Sequence, residues 1–332
     1  MPKQARAASL SLDLDNQWSY MKTHGDEGWE VFPSYLDVVI PRFNDLLESL
    51  DDQKITVFTV GQDAALEKNH AALRLIPEAG HEVGNHSFNH EPWLHLYTRE
   101  EIEEEVIRAE EAIAGATGVQ PVGWRGPGFS FSPTLLDVLA RRGYQYDGST
   151  FPSYLGPLAR AYYFMTAKLS PEEKEKRKQL FGKWTEGLRP IKPYHWQLSG
   201  GRELLEIPVT TMPIFKVPFH VSYLLYLASY SRLAAKLYFR TALRLCQIMR
   251  VGPSILLHPL DFLGADDVPE LGFFPAMDKG GSWKCQLVRQ YLAEFKRRFD
   301  VRPMGEHARL LHEAQPKLPQ RAPAPAEAPA TP

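Results

Sequence analysis

Strand-like and helix-like segments alternate along most of this chain. Short runs of the strand type recur at 8–14, 55–60, 81–85, 121–124, 144–146, 204–211 and 254–257, and helical patterns lie between most of them. Repeated strand–helix units form parallel sheets, because each helix carries the chain back to the start of the next strand. Residues capable of chemistry recur just after these strands, where barrel enzymes carry their sites. The pattern predicts an α/β fold, and it favours a distorted (β/α) barrel over an open sheet.

The length and composition favour one large domain with additions. The chain has 332 residues, of which 44% are hydrophobic, so it can bury a sizeable core. We expect a single catalytic domain over 1–313. Within it, 153–201 is predicted to be a helical insertion, either a solvated helix or a lid over the site, and 219–250 a basic amphipathic helix. Residues 314–332 are rich in Pro and Ala, which predicts a disordered tail.

Charge and cysteine content exclude several classes of function. The formal net charge of −2 gives no case for a polyanionic partner, and no basic run is interleaved with aromatic residues as nucleic-acid grooves require. Cys246 and Cys285 stand far apart, so neither a disulfide framework nor a thiolate zinc site is expected. Residues 1–7 are too few for a secretory signal, and no run of about 18 apolar residues predicts a membrane span. We therefore expect a cytoplasmic protein.

Two carboxylates end the first predicted strand. Asp13 and Asp15 are separated by one residue, and the two-residue period of a strand points both side chains to the same side. One of them could bind a metal ion while the other accepts a proton from water. The alternative is a pair of loop carboxylates or a helix cap, because an Asp-x-Asp sequence is weak evidence by itself.

Two histidines follow the third predicted strand. His86 and His90 are four residues apart, a spacing that brings two imidazoles onto one face of a helical turn. The alternative is two surface histidines. Two imidazoles and a carboxylate can hold a divalent ion and leave positions open for water and substrate, as catalytic zinc sites do. This combination indicates a metal-assisted hydrolase with zinc as the favoured ion, although cobalt, nickel or iron accept the same ligands.

Five short motifs, taken together, resemble one family. They are Ser-Leu-Asp-Leu-Asp at 11–15, His-Ser-Phe-Asn-His at 86–90, Trp-Arg-Gly-Pro-Gly-Phe at 124–129, an aspartate at 147, and Leu-Leu-His at 256–258. In this order they resemble the motifs of the NodB-type polysaccharide deacetylases, or carbohydrate esterase family 4. The resemblance runs from about 9 to 258, and 152–201 with the hydrophobic segment after it matches poorly. A looser similarity links 84–90 and 206–210 to the lipid-linked aminosugar deformylases of the same superfamily.

The resemblance implies a role for each motif. It implies that Asp13 is the catalytic base and that Arg125 orients it. It implies that His258 is the catalytic acid and that Asp147 belongs to the catalytic set. The metal would be held by three residues: Asp15, His86 and His90.

The chain departs from the family pattern in two of these motifs. Leu14 separates two aspartates that are most often adjacent, which resembles a branch of the family with an Asp-x-Asp version. Thr150 stands where some members carry a carboxylate that tunes the acid histidine. Asp261, three residues after His258, could take over that role, and we include it among the predicted catalytic residues.

The segment before the last motif bears on the substrate. No Asp or Glu occurs from 207 to 260, whereas Arg232, Lys236, Arg240 and Arg244 form a basic stripe with helical spacing. A basic amphipathic helix with flanking aromatic residues could lie on an anionic membrane, or it could be an outer barrel helix. For a protein in the cytoplasm, or bound peripherally at the inner face of the membrane, the expected substrate is an N-acetylated lipid-linked or glycolipid aminosugar.

Three alternatives stay open from the sequence. The enzyme could remove a formyl group from a polyprenyl-linked aminosugar instead of an acetyl group. A non-catalytic glycan-binding module would keep the fold but lose ligands or the acid, and the sequence shows neither loss. A metal-dependent phosphoesterase would favour further carboxylates for a second ion, and none can be placed.

Overall fold

The protein is described from a computed structural model that covers residues 5–158, 168, 184–313 and 318–323. In chain order the first elements are β1 (Ala7–Leu14), α1 (Gln17–His24), α2 (Leu36–Glu48), β2 (Thr56–Thr59), α3 (Gly61–Ala64), α4 (Glu67–Glu78), β3 (Glu82–Asn85), α5 (Arg99–Thr117), β4 (Gly123–Trp124), α6 (Pro133–Arg142) and β5 (Tyr146–Asp147). Then follow β6 (Tyr194–Gln197), β7 (Glu203–Glu206), α7 (Val221–Tyr230), α8 (Arg232–Ile248), β8 (Ser254–Leu257), α9 (Gly281–Lys296), β9 (Asp300–Arg302), α10 (Met304–Glu313) and β10 (Gln320–Arg321).

The described strands form one ten-stranded sheet that curves into a distorted (β/α) barrel. Its order is β10-β6-β7-β5-β4-β3-β2-β1-β8, with β9 also paired to β1. All pairs are parallel except β6 with β7. The chain after β7 reaches β8, where the Thr210 amide donates to the Ser254 carbonyl oxygen at 2.9 Å and the Ser254 amide donates to Thr210 Oγ1 at 2.8 Å. The sequence prediction of an α/β barrel is confirmed.

The barrel surrounds an apolar core that the strands and helices share. Alternate residues of β1, such as Leu10, Leu12 and Leu14, are at most 1% exposed and pack in the largest apolar cluster. The buried face of α2, with Phe43 and Leu47, joins the same cluster. Burial of side chains of this size stabilises the fold by about 1.5 to 3 kcal/mol each. The core fixes the strands in position, so their carboxyl ends meet at one rim of the barrel.

Local signals in the sequence place several helix ends correctly. Thr98 accepts a hydrogen bond from the Glu101 amide, and the Glu101 side chain accepts one from the Thr98 amide, so a capping box begins α5. Ser132 caps α6, with Pro133 in the first turn, and Gly143 ends this helix at φ +85°. Pairs of residues close in sequence specify these ends, which explains why they could be predicted.

The predicted helix over 219–250 is two helices in the structure. Ser231 lies between α7 and α8 in an extended conformation, and its hydroxyl accepts a hydrogen bond from the Ala234 amide at 3.2 Å. A serine at this position caps a new helix, because its side chain replaces a missing backbone acceptor. The buried face of α8 consists of Ala235, Phe239, Ala242, Leu243 and Cys246.

The structure describes only part of the predicted helical insertion, and it differs from the prediction in the tail. Within 153–201, residues 159–167 and 169–183 lie outside the described residues, and the described part contains a 3-10 helix, Trp184–Leu188, and β6. The prediction of a disordered tail is wrong for residues 320 and 321. These residues form β10 beside β6, and the Gln320 amide group donates to Glu203 Oε1 at 2.7 Å. This contact between distant residues supplies order that the local composition does not indicate.

Two helices of the structure are not apparent in the sequence pattern. The segment after β1 contains α1, which Asn16 caps by accepting a hydrogen bond from the Gln17 amide. Near the end of the chain, α10 packs against β1 and brings Met304 toward the middle of the barrel. Among the described residues, no helix combines the length and apolarity needed to cross a bilayer.

Candidate active site

The rim formed by the carboxyl ends of the strands brings the predicted site residues together. Asp13 and Asp15 come from the end of β1, and His86 follows β3 directly. Arg125 follows β4, and His258 follows β8. Because β8 and β2 are the two neighbours of β1 on the main path of the sheet, and β3 pairs with β2, distant parts of the chain converge at this rim.

Asp15, His86 and His90 form a compact cluster of three possible metal ligands. Asp15 Oδ1 lies 2.9 Å from His90 Nε2 and 3.2 Å from His86 Nε2. One ligand atom from each residue can be chosen so that all three lie within 4.8 Å of one another. The three side chains can therefore contact a common atom, and the predicted juxtaposition is present.

The two histidines lie on a turn with an unusual backbone conformation. Ser87 and His90 have φ values of +62° and +54°, in the left-handed region that few residues other than glycine adopt. Asn85 Oδ1 accepts a hydrogen bond from the Ser87 amide at 2.9 Å. Glu105 Oε2, from α5, accepts bonds from the amides of residues 88 and 89 at 2.9 and 3.0 Å. These buried acceptors hold the turn in its unusual conformation and so fix the spacing of the imidazoles.

The orientation of His86 suits metal binding. Its Nδ1 lies 2.7 Å from the carbonyl oxygen of Arg125, which can only accept, so the proton is on Nδ1. Nε2 then presents a lone pair toward Asp15. Metal-ligating histidines are typically fixed in this way by a backbone carbonyl or carboxylate.

The electrostatics of the cluster favour an ionised carboxylate. Burial acts to raise the pKa of Asp15, but His90 and His86 outweigh it and hold this pKa well below its usual value. Burial likewise acts to lower the pKa of His86, and Asp13 and Asp15 reverse this and raise it. One carboxylate oxygen and two imidazole nitrogens are the donor set of a catalytic rather than a closed structural site. The residues present therefore fit a divalent cation.

Asp13 and Arg125 form a buried ion pair next to this cluster. Arg125 Nη1 lies 3.3 Å from Asp13 Oδ1, and Nη2 donates to Ser11 Oγ at 3.3 Å. The guanidinium carbon is 4.8 Å from the centre of the Phe58 ring, and Arg125 is fully buried. The arginine is thus fixed by several contacts and can hold the Asp13 carboxylate in one orientation.

His258 is linked to Asp261 through a serine rather than directly through its ring. His258 Nδ1 lies 3.1 Å from Ser222 Oγ, and Ser222 is on α7. Asp261 Oδ2 accepts a hydrogen bond from the His258 backbone amide at 2.9 Å. Burial raises the pKa of Asp261, while the positive field of His258 and a hydrogen bond from Ser222 act in the opposite direction. Asp261 therefore holds both the backbone of His258 and the hydroxyl next to its imidazole.

Asp147 lies behind the site, where it faces a second buried carboxyl group. It is the register partner of Glu206 on β7, and both are fully buried. Asp147 Oδ1 accepts a hydrogen bond from Ser149 Oγ at 2.5 Å, and Thr150 Oγ1 donates to Glu206 Oε1 at 2.6 Å. Burial and the neighbouring Asp147 raise the pKa of Glu206 well above its usual value. Two adjacent buried carboxyl groups repel each other when both are ionised, so one of them stays protonated, and here Glu206 keeps its proton.

Several residues of the site are absent from the sequence-based set. His220 lies beside His258, with its ring centre 5.9 Å from that of His258, and its Nδ1 has no hydrogen-bond partner among the described residues. Burial, His258 and Arg125 lower the pKa of His220 well below its usual value, so it is neutral near pH 7. Ser222, Glu206 and Tyr20 also contribute, the last through a hydrogen bond to Asp15. His220, Ser222 and Tyr20 lie in no motif of the sequence analysis, whereas Glu206 begins the segment 206–210 noted there and is placed beside Asp147 by the pairing of β7 with β5.

Sequence comparison finds one family in the middle of the chain. The family model described as polysaccharide deacetylase matches residues 26–146. This range includes His86, His90 and Arg125, but it leaves out Asp13, Asp15 and His258. The fold therefore brings these three residues next to the matched ones.

Curated relatives match a similar share of the chain. A peptidoglycan deacetylase of Helicobacter pylori (strain ATCC 700392 / 26695) is 31% identical over 113 residues, which is 34% of this chain and 37% of the relative. The uncharacterized protein YlxY of Bacillus subtilis (strain 168) is 33% identical over 89 residues, or 27% of each chain. The chain thus spans about a third of the length of the curated relatives it matches.

Solved structures share the fold over nearly the whole chain. A "putative polysaccharide deacetylase" from Mycobacterium smegmatis superposes with a TM-score of 0.64 at 19% identity, covering 99% of this chain and 97% of the other. A structure described as Puue allantoinase superposes with a TM-score of 0.57 at 16% identity, covering 95% and 93%. At these identities the similarity establishes the fold. The sequence match around His86, His90 and Arg125 makes this part of the chain similar to polysaccharide deacetylases, and the solved structures share its fold.

Proposed function

We propose that this protein is a metal-dependent hydrolase that removes the N-acetyl group from an aminosugar. The observation that carries the proposal is the convergence of Asp15, His86 and His90 beside a buried pair, Asp13 with Arg125. Relatives named as deacetylases give the reaction class, because the matched relative from Helicobacter pylori is a peptidoglycan deacetylase. An acetamide is a stable bond, so its hydrolysis needs an activated water, a stabilised oxyanion and a proton for the departing amine.

Asp15, His86 and His90 would hold the divalent cation, and zinc suits this donor set best. Such an ion, when bound, polarises a carbonyl oxygen and lowers the pKa of its water from 15.7 toward about 7. Asp15 contributes a negative charge that suits a cation, since the two histidines hold its pKa well below the usual value. The Arg125 carbonyl keeps the Nε2 lone pair of His86 turned toward the ion position.

Asp13 would accept the proton from the attacking water. Its carboxylate lies near His86, whose pKa it raises, so it is close to the proposed ion position. Arg125 donates to this carboxylate and keeps it oriented, and it also balances the negative charge in a buried setting. A base held in this way can take a proton without the cost of reorganising its surroundings.

His258 would donate the proton that the departing amine requires. An amine leaves poorly unless it is protonated, so this step depends on an acid placed on the far side of the scissile bond from the base. Ser222 and Asp261 support His258 through its ring nitrogen and its backbone amide. Asp147 acts through Arg125 rather than on substrate, because it is fully buried and its charge faces the arginine.

The proposed substrate is an N-acetylated aminosugar carried on a lipid, met at the cytoplasmic face of the membrane. Support comes from α7, which supplies Ser222 to the site and exposes aromatic side chains on its outer face. Both described cysteines are free thiols, which agrees with a reducing compartment. Removal of a formyl group would use the same residues, since the two reactions differ in one methyl group.

The proposal can be tested by measuring free amine released from lipid-linked aminosugars. Purified protein is loaded with zinc, assayed on N-acetyl and N-formyl substrates, and assayed again after chelation and after zinc is restored. We expect release from the N-acetyl substrate that is lost on chelation and recovered with zinc. Faster release from the N-formyl substrate alone would replace deacetylation with deformylation. Tight glycan binding without release from either substrate would indicate a binding module and contradict the proposal.

A further inference from the structure

Helix α8 carries apolar residues on two opposite sides. One side consists of Ala235, Phe239, Ala242, Leu243 and Cys246, which are at most 1% exposed and pack in the core. On the other side, Leu233, Leu237 and Ile248 are 67%, 55% and 61% exposed. Their spacings of four and eleven positions return to the same side of a helix. Most helices have a polar outer side, so this second apolar side indicates contact with something outside the described chain.

Helix α7 continues this surface with three tyrosines. Tyr223, Tyr226 and Tyr230 are 39%, 45% and 74% exposed and lie at positions i, i+3 and i+7 of the helix. We refer to Tyr223, Tyr226, Tyr230, Leu233, Leu237 and Ile248 as the α7–α8 apolar face. Tyrosine is enriched where one end of a side chain meets apolar material and the other meets water, as at a membrane interface.

A groove rich in positive charge runs along the flank of α8. It encloses about 620 Å³ between α8 and α9, and its charged lining comprises Arg232, Lys236, Arg240, Arg297 and Glu294. Glu294 already pairs with Arg240, at 3.4 Å, and with Arg297 and Arg298. Within the described ranges no ion pair involves Lys236 of the groove, or Arg244, which lies outside the groove one turn beyond Arg240 on α8. The groove therefore has an excess of positive charge, in a stretch of sequence, 207–260, that contains no Asp or Glu.

We propose that the α7–α8 apolar face and this basic groove bind the surface of an anionic phospholipid bilayer. The tyrosine and leucine side chains would enter the boundary between headgroups and acyl chains. The arginine and lysine side chains would meet the phosphates, as in other interfacial amphipathic helices. A bilayer would contact both the α7–α8 apolar face and the basic groove. An acidic soluble partner would pair with the basic residues and leave the leucines exposed.

A second copy of the chain fits this surface less well than a bilayer. In a symmetric dimer the same patch of both subunits meets itself, so the basic groove of one copy would approach that of the other. Like charges in such a contact oppose association. An anionic bilayer instead offers opposite charge and an apolar layer side by side. Charge complementarity therefore selects the bilayer.

The surface is continuous with the active site. Ser222 on α7 contacts the imidazole of His258, and the next residue, Tyr223, packs edge-on against His220 at 4.6 Å between ring centres. A bilayer bound to the apolar face would lie beside the acid side of the site. The binding itself does not depend on the proposed reaction, so the two can be tested separately.

The test is cosedimentation of the full chain with vesicles. One set of vesicles contains phosphatidylcholine alone, and the other contains equal parts of phosphatidylcholine and phosphatidylglycerol. We expect binding to the anionic set that weakens as salt is added, and at least tenfold weaker binding to the neutral set. Each basic residue near an anionic surface accounts for about fivefold in partitioning, so Lys236→Gln with Arg244→Gln should weaken binding about 25-fold.

Two variants test the apolar face against a matched control. Leu233→Asp with Leu237→Asp should reduce binding to anionic vesicles at least tenfold. The control for the leucine variants is Val38→Asp, at a 41% exposed apolar position on α2, which should leave vesicle binding unchanged. The control for the charge variants is Arg309→Gln on α10, which should also leave vesicle binding unchanged. Wild-type protein that fails to bind anionic vesicles at low salt, or leucine variants that bind as tightly as wild type, would overturn the proposal.

Self-association is read from the same samples by sedimentation velocity without vesicles. If the protein forms a dimer that the leucine substitutions abolish, the face binds a second copy of the chain and the bilayer proposal is overturned. Amine release from a soluble N-acetylated aminosugar should be unchanged in the leucine variants, because these residues do not contact the reacting groups. Loss of vesicle binding with this activity intact separates the docking surface from the catalytic proposal.

Discussion

Arg125 Nη1 lies 3.3 Å from Asp13 Oδ1, although the two residues are 112 positions apart in the sequence. The pair connects the end of β1 to the end of β4, and neither side chain is more than 6% exposed. A buried charge that loses its partner typically destabilises a protein by about 3 to 5 kcal/mol. The pair therefore contributes to the stability of the fold as well as to the proposed reaction. Variants of the pair must be chosen so that these two contributions can be measured separately.

The substitution Asp13→Asn should abolish most of the activity while the metal site persists. An asparagine keeps the shape and one acceptor oxygen for Arg125, but it cannot take a proton from water. We expect kcat for amine release to fall by about 10²- to 10⁴-fold, the usual contribution of a general base. Zinc content, measured by atomic emission on the same protein, should equal that of wild type because Asp15, His86 and His90 are intact. A variant within tenfold of wild-type kcat would exclude Asp13 as the base.

The substitution Asp15→Asn should weaken metal binding and activity together. The neutral amide removes the negative charge at the centre of the cluster, where Oδ1 lies 2.9 Å from His90 Nε2. Disturbing even an outer partner of a metal ligand costs about 10- to 100-fold in affinity, so loss of a ligand should exceed this range. Competition with a zinc-sensitive dye gives the dissociation constant. Asp278→Asn, at a side chain 66% exposed, is the matched control and should bind zinc as wild type does.

The sequence predicts the parts of the site that lie in short, contiguous motifs. Asp13 and Asp15 belong to one strand end, and His86 and His90 to one turn. The predicted helical turn is wrong for the histidines, because positive φ values at Ser87 and His90 shape the turn instead. Ser222 and His220 could not be found in this way, because their proximity to His258 depends on how α7 packs against the end of β8. The pairing of Asp147 with Glu206 likewise depends on the strand order β4-β5-β7, which the spacing of elements does not specify.

The same distinction applies to the fold: features specified by neighbouring residues can be predicted from the sequence, and features that depend on distant residues cannot. The ends of α5 and α6 follow from caps within three residues and are predicted correctly. The order of residues 320 and 321 comes from β6 and from Glu203, more than 100 positions away, and the composition of the tail does not reveal it. The break at Ser231 is an intermediate case, since a serine inside a helical pattern can either continue the helix or cap a new one.

Loss of the proposed acid should depend on the leaving group. His258→Gln should reduce amide hydrolysis by about 10²- to 10⁴-fold, because the amine then departs without a proton. Hydrolysis of 4-nitrophenyl acetate should fall far less, because nitrophenolate leaves without protonation. Ser222→Ala removes the 3.1 Å contact to His258 Nδ1 and should show the same selectivity to a smaller degree, about tenfold in kcat for the amide with KM unchanged. Equal losses on both substrates would show that His258 has a structural role instead.

The buried carboxyl group of Asp63 should make stability fall as the solution becomes less acidic. Asp63 is 1% exposed, its Oδ1 accepts hydrogen bonds from Asn16 and Trp18, and its Oδ2 has no partner among the described residues. Burial raises the pKa of Asp63 to about 7. An unfolded chain releases this proton near pH 4, so between about pH 4 and pH 7 the folded state binds more protons and loses stability as pH rises.

Asp63→Asn removes this titration and keeps the acceptor for Asn16 and Trp18. The free energy of unfolding of wild type, measured with urea and taken relative to the variant, should fall by about 4 kcal/mol from pH 4 to pH 8, since one pKa unit corresponds to 1.36 kcal/mol. Taking the difference cancels the titration of groups common to both proteins, including the buried histidines. A difference that stays constant over this range would mean that Asp63 is ionised in the folded protein, with Asn16 and Trp18 sufficient to hold its charge.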